Sequence, residues 1–253
     1  MLENITLNES NVTASIDAYI HHCLFGYNGV FKCGQQLKCE IINNNLLKIY
    51  DGLFINQGRF YRIAPGSYEE IKLEKNNENL IIFYQGAKVE YQAYVPLIEL
   101  IASENIDVAL CKMPFNLAFF GMNYALEIID NYHYENVYIS GHSLGGAMST
   151  MFAKDNNDKL NGVILLGSYA TEIMPNNLKC LSIIGSEDKI VKKDKFNKNK
   201  DYFNKELYQE IIIEGGNRSY FGNYGLQKSD GKPTIDKIEQ WNITAKYIKE
   251  FVI

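Results

Sequence analysis

From residue 80 onward the chain alternates short apolar segments with segments of helical spacing. That alternation limits its possible folds more than any other feature. Residues 80–84, 106–110, 136–140, 162–166, 180–184 and 210–213 have the length and composition of strands. Residues 94–103, 123–132, 145–154 and 235–251 place apolar side chains at helical spacing. Strands that are apolar on both faces require cover on both faces. The expected fold is therefore α/β: a mostly parallel sheet flanked by helices, over residues 79–253.

The first 75 residues follow another grammar. Residues 37–42, 46–49 and 53–55 read as short strands separated by Asn43-Asn44-Asn45, Asp51-Gly52 and Pro65-Gly66. A helix over residues 14–24, capped by Ser10 or Thr13, is expected before them. A polar stretch, residues 74–79, marks the boundary. Residues 1–75 are thus expected to form a small β-rich module.

Composition excludes several function classes. Of the 253 residues, 46% are hydrophobic and 22% charged, which excludes a disordered or collagen-like chain. Lys and Arg total 25 against 30 Asp and Glu, a net charge of −5 that gives no general attraction to nucleic acid or an anionic membrane. No apolar run approaches the ~20 residues of a membrane span. Met1-Leu2-Glu3-Asn4 has neither a basic nor an apolar leader pattern, so a cytoplasmic location is expected. The five cysteines, Cys23, Cys33, Cys39, Cys111 and Cys180, are widely spaced and read as reduced thiols. His21-His22-Cys23 lacks the partner spacing of a zinc site, so no metal is expected.

The segment that carries chemistry is Val137-Tyr138-Ile139-Ser140-Gly141-His142-Ser143-Leu144-Gly145-Gly146-Ala147. It reads as a strand, then Gly-X-Ser-X-Gly, then a helix of small residues. A serine on so sharp a turn sits in strained backbone, and Gly141 and Gly145 remove the Cβ atoms that would clash there. Its hydroxyl then projects above the sheet at the positive end of the helix, where a nucleophile is wanted. Acyl transfer also needs donors for the developing oxyanion. Leu144 N–H, directly after the serine, is one candidate. Ala87 N–H is the other, in the loop Phe83-Tyr84-Gln85-Gly86-Ala87-Lys88 that follows an earlier strand. An acid should follow a later strand. Asp188, in Gly185-Ser186-Glu187-Asp188, takes that position, with Glu187 as the alternative. Gly86, Phe115 and His142 are candidate substrate-binding residues. Met113, Pro114, Phe115, Phe119 and Phe120 either line an acyl pocket beside Ser143 or belong to the core.

With these segments, Lys112-Met113-Pro114-Phe115-Asn116-Leu117-Ala118 and Glu214-Gly215-Gly216-Asn217, residues 79–253 resemble the α/β-hydrolase superfamily, specifically the small bacterial branch of dienelactone hydrolases and carboxylesterases. The resemblance implies serine-dependent hydrolysis of a small ester or acyl substrate, with no metal or organic cofactor. It also implies a general-base histidine at the end of a Gly-Gly-Asn-His motif. Here that position is Arg218. Of the four histidines none follows Ser143. His142 adjoins the serine, but its side chain should leave the turn in another direction. His133 should lie at the opposite edge of the sheet, roughly 15 Å away at ~3.3 Å per strand residue. His21 and His22 belong to the N-terminal half. Arginine, with a pKa above about 12, has no lone pair to accept the serine proton. It can pair with Asp188 and keep the shape of the site without its proton transfer.

Residues 1–75, through Tyr27-Asn28-Gly29-Val30-Phe31, Leu46-Leu47-Lys48-Ile49-Tyr50-Asp51-Gly52 and Asn56-Gln57-Gly58-Arg59, resemble an N-terminal module of bacteriophage tail or baseplate proteins. That resemblance implies attachment or self-association through residues 1–75 and a virion-associated location. Two readings stay open: a serine esterase of low or absent activity, and a non-catalytic binding or structural protein of a phage-type assembly that uses a hydrolase fold.

Overall fold

The computed structural model describes residues 60–63, 78–102 and 105–253. Seven strands form one sheet: β1 (Phe60–Ile63), β2 (Asn79–Tyr84), β3 (Ile106–Cys111), β4 (Asn136–His142), β5 (Gly162–Leu166), β6 (Lys179–Gly185) and β7 (Tyr208–Ile213). Their spatial order is β1-β3-β2-β4-β5-β6-β7. From β3 to β7 every neighbouring pair is parallel, while β1 pairs antiparallel with β3. The helices are α1 (Val95–Ile101), α2 (Tyr124–Asn131), α3 (Leu144–Asp155), α4 (Lys193–Asn199) and α5 (Lys237–Val252).

The expected α/β sheet is present, and its two-sided core explains the apolar strand runs. Along β2, Ile81 and Phe83 face a layer completed by α1 and α5, with Leu97, Ile98, Trp241 and Ile248. Leu80, Ile82 and Tyr84 face the other layer, where α2 and α3 supply Ile128, Met148 and Phe152. A strand of period two between two helical layers must be apolar at every position.

The elements differ from expectation at their ends. β4 runs on through Gly141 to His142 and α3 begins at Leu144, so Ser143 alone joins them. The last helix starts at Lys237, because the Asp236 side chain accepts from Glu239 N–H at 2.8 Å and caps it there. β1 and α4 were not foreseen. β1 lies within residues 1–75 and pairs antiparallel with β3 at the edge of the sheet. The expected helix over residues 14–24, the strands over residues 37–55, and Cys23, Cys33, Cys39, His21 and His22 lie outside the described residues. Cys111 and Cys180 are buried free thiols on β3 and β6. Among the described residues, no helix is long and apolar enough to cross a membrane, and no group of three or more His, Cys, Asp or Glu could hold a metal ion.

Candidate active site

Ser143 has φ 57° and ψ −120°, a backbone conformation that residues with a Cβ avoid. Such strain costs about 1–3 kcal/mol and persists only where the surroundings over-determine it. Here the peptide is held on both sides. Ser143 N–H donates to Leu166 O at 3.0 Å, and Ser143 O accepts from Ser168 Oγ at 2.8 Å. The flanking glycines are required by space. A Cβ on Gly141 would lie 2.4 Å from Gly145 C, and one on Gly145 would lie 2.2 Å from Tyr84 O. The helix is thereby pressed against the strand ends, and the serine is turned outward, half-exposed.

Asp188 follows β6. Its Oδ1 accepts from Ile190 N–H at 2.9 Å and Val191 N–H at 2.8 Å. Its Oδ2 accepts from Arg218 Nη1 at 3.2 Å, and its side chain is only 1% exposed. Glu187, the alternative acid, instead uses its backbone N–H to bind Gly216 O at 2.9 Å. That bond joins the Asp188 loop to the Arg218 loop.

Arg218 lies after β7 in a loop fastened by Asn217. Asn217 N–H donates to Gln240 Oε1 at 3.0 Å, and Gln240 Nε2 donates back to Asn217 O at 2.8 Å, so α5 holds the loop from behind. Arg218 is 8% exposed. Its Nη1 also donates to Gly167 O, and its Nη2 donates to Ser143 Oγ at 2.7 Å. The three residues expected to share the site, Ser143, Asp188 and Arg218, thus meet through one guanidinium. Each contact it makes is a donation. A guanidinium has five N–H donors and no acceptor, so the serine hydroxyl faces no proton acceptor in it.

The loop after β2 carries Gly86 and Ala87. Gly86 N–H donates to Tyr94 Oη at 2.9 Å, and that hydroxyl lies 2.8 Å from His142 Nδ1. A Cβ on Gly86 would come within 2.7 Å of Tyr94 Oη. His142 is fully buried among Tyr94, Phe221 and Tyr224. Burial, and secondarily the positive charge of Arg218, push its pKa well below the ordinary value, so the ring is neutral. The imidazole of His142, a candidate substrate-binding residue, is walled off from solvent by aromatic rings, and through Tyr94 it supports the loop at Gly86. Ala87 and Leu144 are each half-buried, and Leu144 N–H, at the start of α3, has no intrahelical acceptor.

Phe115, half-buried, packs edge-on against Phe120 at 5.5 Å, and Phe119 and Phe120 are 58% and 42% exposed. These rings are not core. Met113, by contrast, is 2% exposed and belongs to the core. The loop that bears Phe115 is tied to the Gly86 loop by Lys88 N–H to Asn116 O at 2.8 Å and Gln85 Nε2 to Asn116 Oδ1 at 2.9 Å. His133 is exposed just before β4, at the far edge of the sheet from Ser143. Gln85, Tyr94, Ser168 and Gln240 escaped the sequence reading. Each is a polar residue in a stretch that looks structural, and only the fold brings it to the site.

The family model described as the alpha/beta hydrolase family matches residues 80–242. No curated protein matches the chain. Several solved structures share the fold at low identity. A predicted CIB-like hydrolase from Thermoplasma acidophilum is 13% identical, with a TM-score of 0.54 over 78% of this chain and 96% of that one. Est1E from Butyrivibrio proteoclasticus, solved with ferulic acid bound, is 13% identical, with a TM-score of 0.55 over 77% and 95%. A monoacylglycerol lipase from Paleococcus ferrophilus is 12% identical, with a TM-score of 0.56 over 76% and 98%. With the family model covering the sheet from β2 into the last helix, the chain belongs to the alpha/beta hydrolase family.

Proposed function

We propose that this chain is a serine esterase scaffold, allied to the dienelactone-hydrolase and carboxylesterase branch, whose general-base position is filled by Arg218. Ser143 is the nucleophile position, Asp188 the acid position, and Leu144 and Ala87 N–H the oxyanion donors. Gly86 lets the chain approach the substrate, and Phe115 lies on its apolar side. The observation that carries this reading is the 2.7 Å donation from Arg218 Nη2 to Ser143 Oγ. In a working triad the serine hydroxyl donates to a neutral imidazole, which removes its proton during attack. Here the direction of the hydrogen bond is reversed. Among the described residues the Ser143 hydroxyl donates to no proton acceptor, and ester hydrolysis is slow or absent.

The test is hydrolysis of p-nitrophenyl acetate and butyrate by the natural chain, Arg218→His and Ser143→Ala. The expected result is near-silence in the natural chain and a gain of about 10²–10⁴-fold in Arg218→His, the usual contribution of a general base. Turnover by Ser143→Ala that is indistinguishable from that of the unsubstituted chain completes the pattern. Ser143-dependent turnover by the natural chain overturns the reading. So does a folded Arg218→His protein that stays silent.

The same arginine also favours a second reading, a non-catalytic binding or structural role. In it, residues 1–75 attach the domain to a phage-type assembly and self-associate. Sedimentation of the full chain beside a chain lacking residues 1–59 tests it. Loss of a defined oligomer on deletion is expected.

A further inference from the structure

Resting on the reading of an inactive serine centre, we infer that the same centre is a binding site for a small carboxylate. The argument is one of donors and acceptors. Arg218 is nine-tenths buried and rigidly held, with Nη1 committed to Gly167 O and Asp188 Oδ2. Asp188 is sealed from solvent, its Oδ1 shared by two backbone N–H groups and its Oδ2 taken by the guanidinium. The ion pair is therefore oriented. Its negative end is turned inward, and its positive end, Nη2, is turned toward Ser143, which is half-exposed.

The groups around Ser143 Oγ are the Nη2 donor, the hydroxyl itself and Leu144 N–H at the first position of the 12-residue α3. Ala87 N–H, on the loop braced by Tyr94, is the second oxyanion donor of the proposed function. A histidine here would contribute an acceptor and leave Asp188 with the net charge of the centre. Arginine contributes only donors and cancels that charge. A donor-only cluster in a neutral frame complements an acceptor-only ligand with one negative charge. A carboxylate can place one oxygen on the N–H groups and the other on Nη2 and the Ser143 hydroxyl. The exposed Phe119 and Phe120 rings, linked to this loop through Phe115, offer apolar surface for a short tail.

The test is thermal unfolding of the full chain titrated with sodium butyrate. Butyramide serves as the neutral isostere, sodium chloride as the ionic-strength control, and inorganic phosphate as the divalent oxyanion. A ligand that binds only the folded state raises Tm in a saturable way. The expected result is a saturable rise with butyrate that the other three do not reproduce. Two variants locate the site. Arg218→His removes the permanent charge, and Ser143→Asp supplies an internal carboxylate next to Nη2; Asp tolerates positive φ better than most residues. Both should weaken butyrate binding about tenfold or more, the value of a charge-assisted hydrogen bond. No saturable rise, an equal rise with butyramide or phosphate, or undiminished binding in both variants overturns the inference. Its failure is separable from that of the inactive-centre reading. Ester turnover gained by Arg218→His, without butyrate binding by the natural chain, refutes the carboxylate site alone. Ser143-dependent turnover by the natural chain refutes the inactive centre.

Discussion

Single residues set the geometry at Ser143, and the glycines around it do so by what they lack. A Cβ on Gly145 would meet Tyr84 O at 2.2 Å and Gln85 O at 2.4 Å, both of them backbone atoms that cannot swing aside. Gly145→Ala should therefore cost about 3 kcal/mol or more, the upper range for overpacking. Gly225 is the control. It has φ 84° with nothing within 4 Å of a built Cβ, so Gly225→Ala should cost only the left-handed backbone penalty of about 1–2 kcal/mol. Urea denaturation of the two variants beside the natural chain checks the difference. A Gly145→Ala protein as stable as Gly225→Ala refutes the steric account. Arg218 shows a second residue-scale asymmetry. Arg218→Met leaves the Asp188 carboxylate buried without its charge partner and should destabilise by about 3–5 kcal/mol, whereas Ser143→Ala removes one hydrogen bond worth about 1 kcal/mol. The same denaturation series measures both, and similar losses in the two variants contradict the ion-pair account. A larger loss in Arg218→Met would mean that the arginine stabilises the fold through its ion pair with Asp188.

At the scale of elements, the strands and helices that carry the site were legible in the sequence because each has a strong apolar signal. β2 and β4 are apolar on both faces, and α3 follows directly from the glycine turn. Elements with weak signals were not legible. α4 reads Lys-Asp-Lys-Phe-Asn-Lys-Asn and buries only Phe196 and Asn199, so no periodicity announces it. β1 sits in a turn-rich region, and only its pairing with β3 reveals it. Of the candidate site, Ser143 and Asp188 could be named from the strand-and-turn pattern, and Arg218 only through the family resemblance that implies a histidine there. The brace behind the loop after β2 could not. Tyr94, in the short 3₁₀ turn Tyr91–Tyr94 that leads into α1, joins Gly86 of one loop to His142 of another strand. No spacing in the chain relates residues 86, 94 and 142. Tyr94→Phe would strip both Gly86 N–H and His142 Nδ1 of a partner in a dry setting. The expected loss is about 1–3 kcal/mol, with faster hydrogen exchange at the Gly86 amide. Unchanged exchange at Gly86 would show that the tyrosine does not brace that loop.

At the scale of the whole molecule, the site is one edge of a sheet. Every parallel strand ends its C-terminal run toward the same side, so loops from β2, β4, β6 and β7 converge there although they are far apart in sequence. Sealing that edge isolates His142 and gives global stability a particular pH dependence. In the unfolded chain its imidazole takes up a proton as pH falls through about 6.5. In the fold, burial and the charge of Arg218 keep it neutral until well below that value. The unfolded state then binds more protons, so stability is full above about pH 6.5 and falls as pH is lowered toward the depressed folded value. The slope reaches at most about 1.4 kcal/mol per pH unit for this one group. Trp241, the single tryptophan of the chain and 3% exposed on α5, reports the transition by fluorescence. Urea midpoints from pH 7.5 down to pH 5.5, above the ordinary carboxylate range, should decline more steeply in the natural chain than in His142→Gln, whatever the absolute stability of the variant. Equal slopes would mean that the imbalance in proton uptake arises elsewhere and that the aromatic wall around His142 does not keep the proton out.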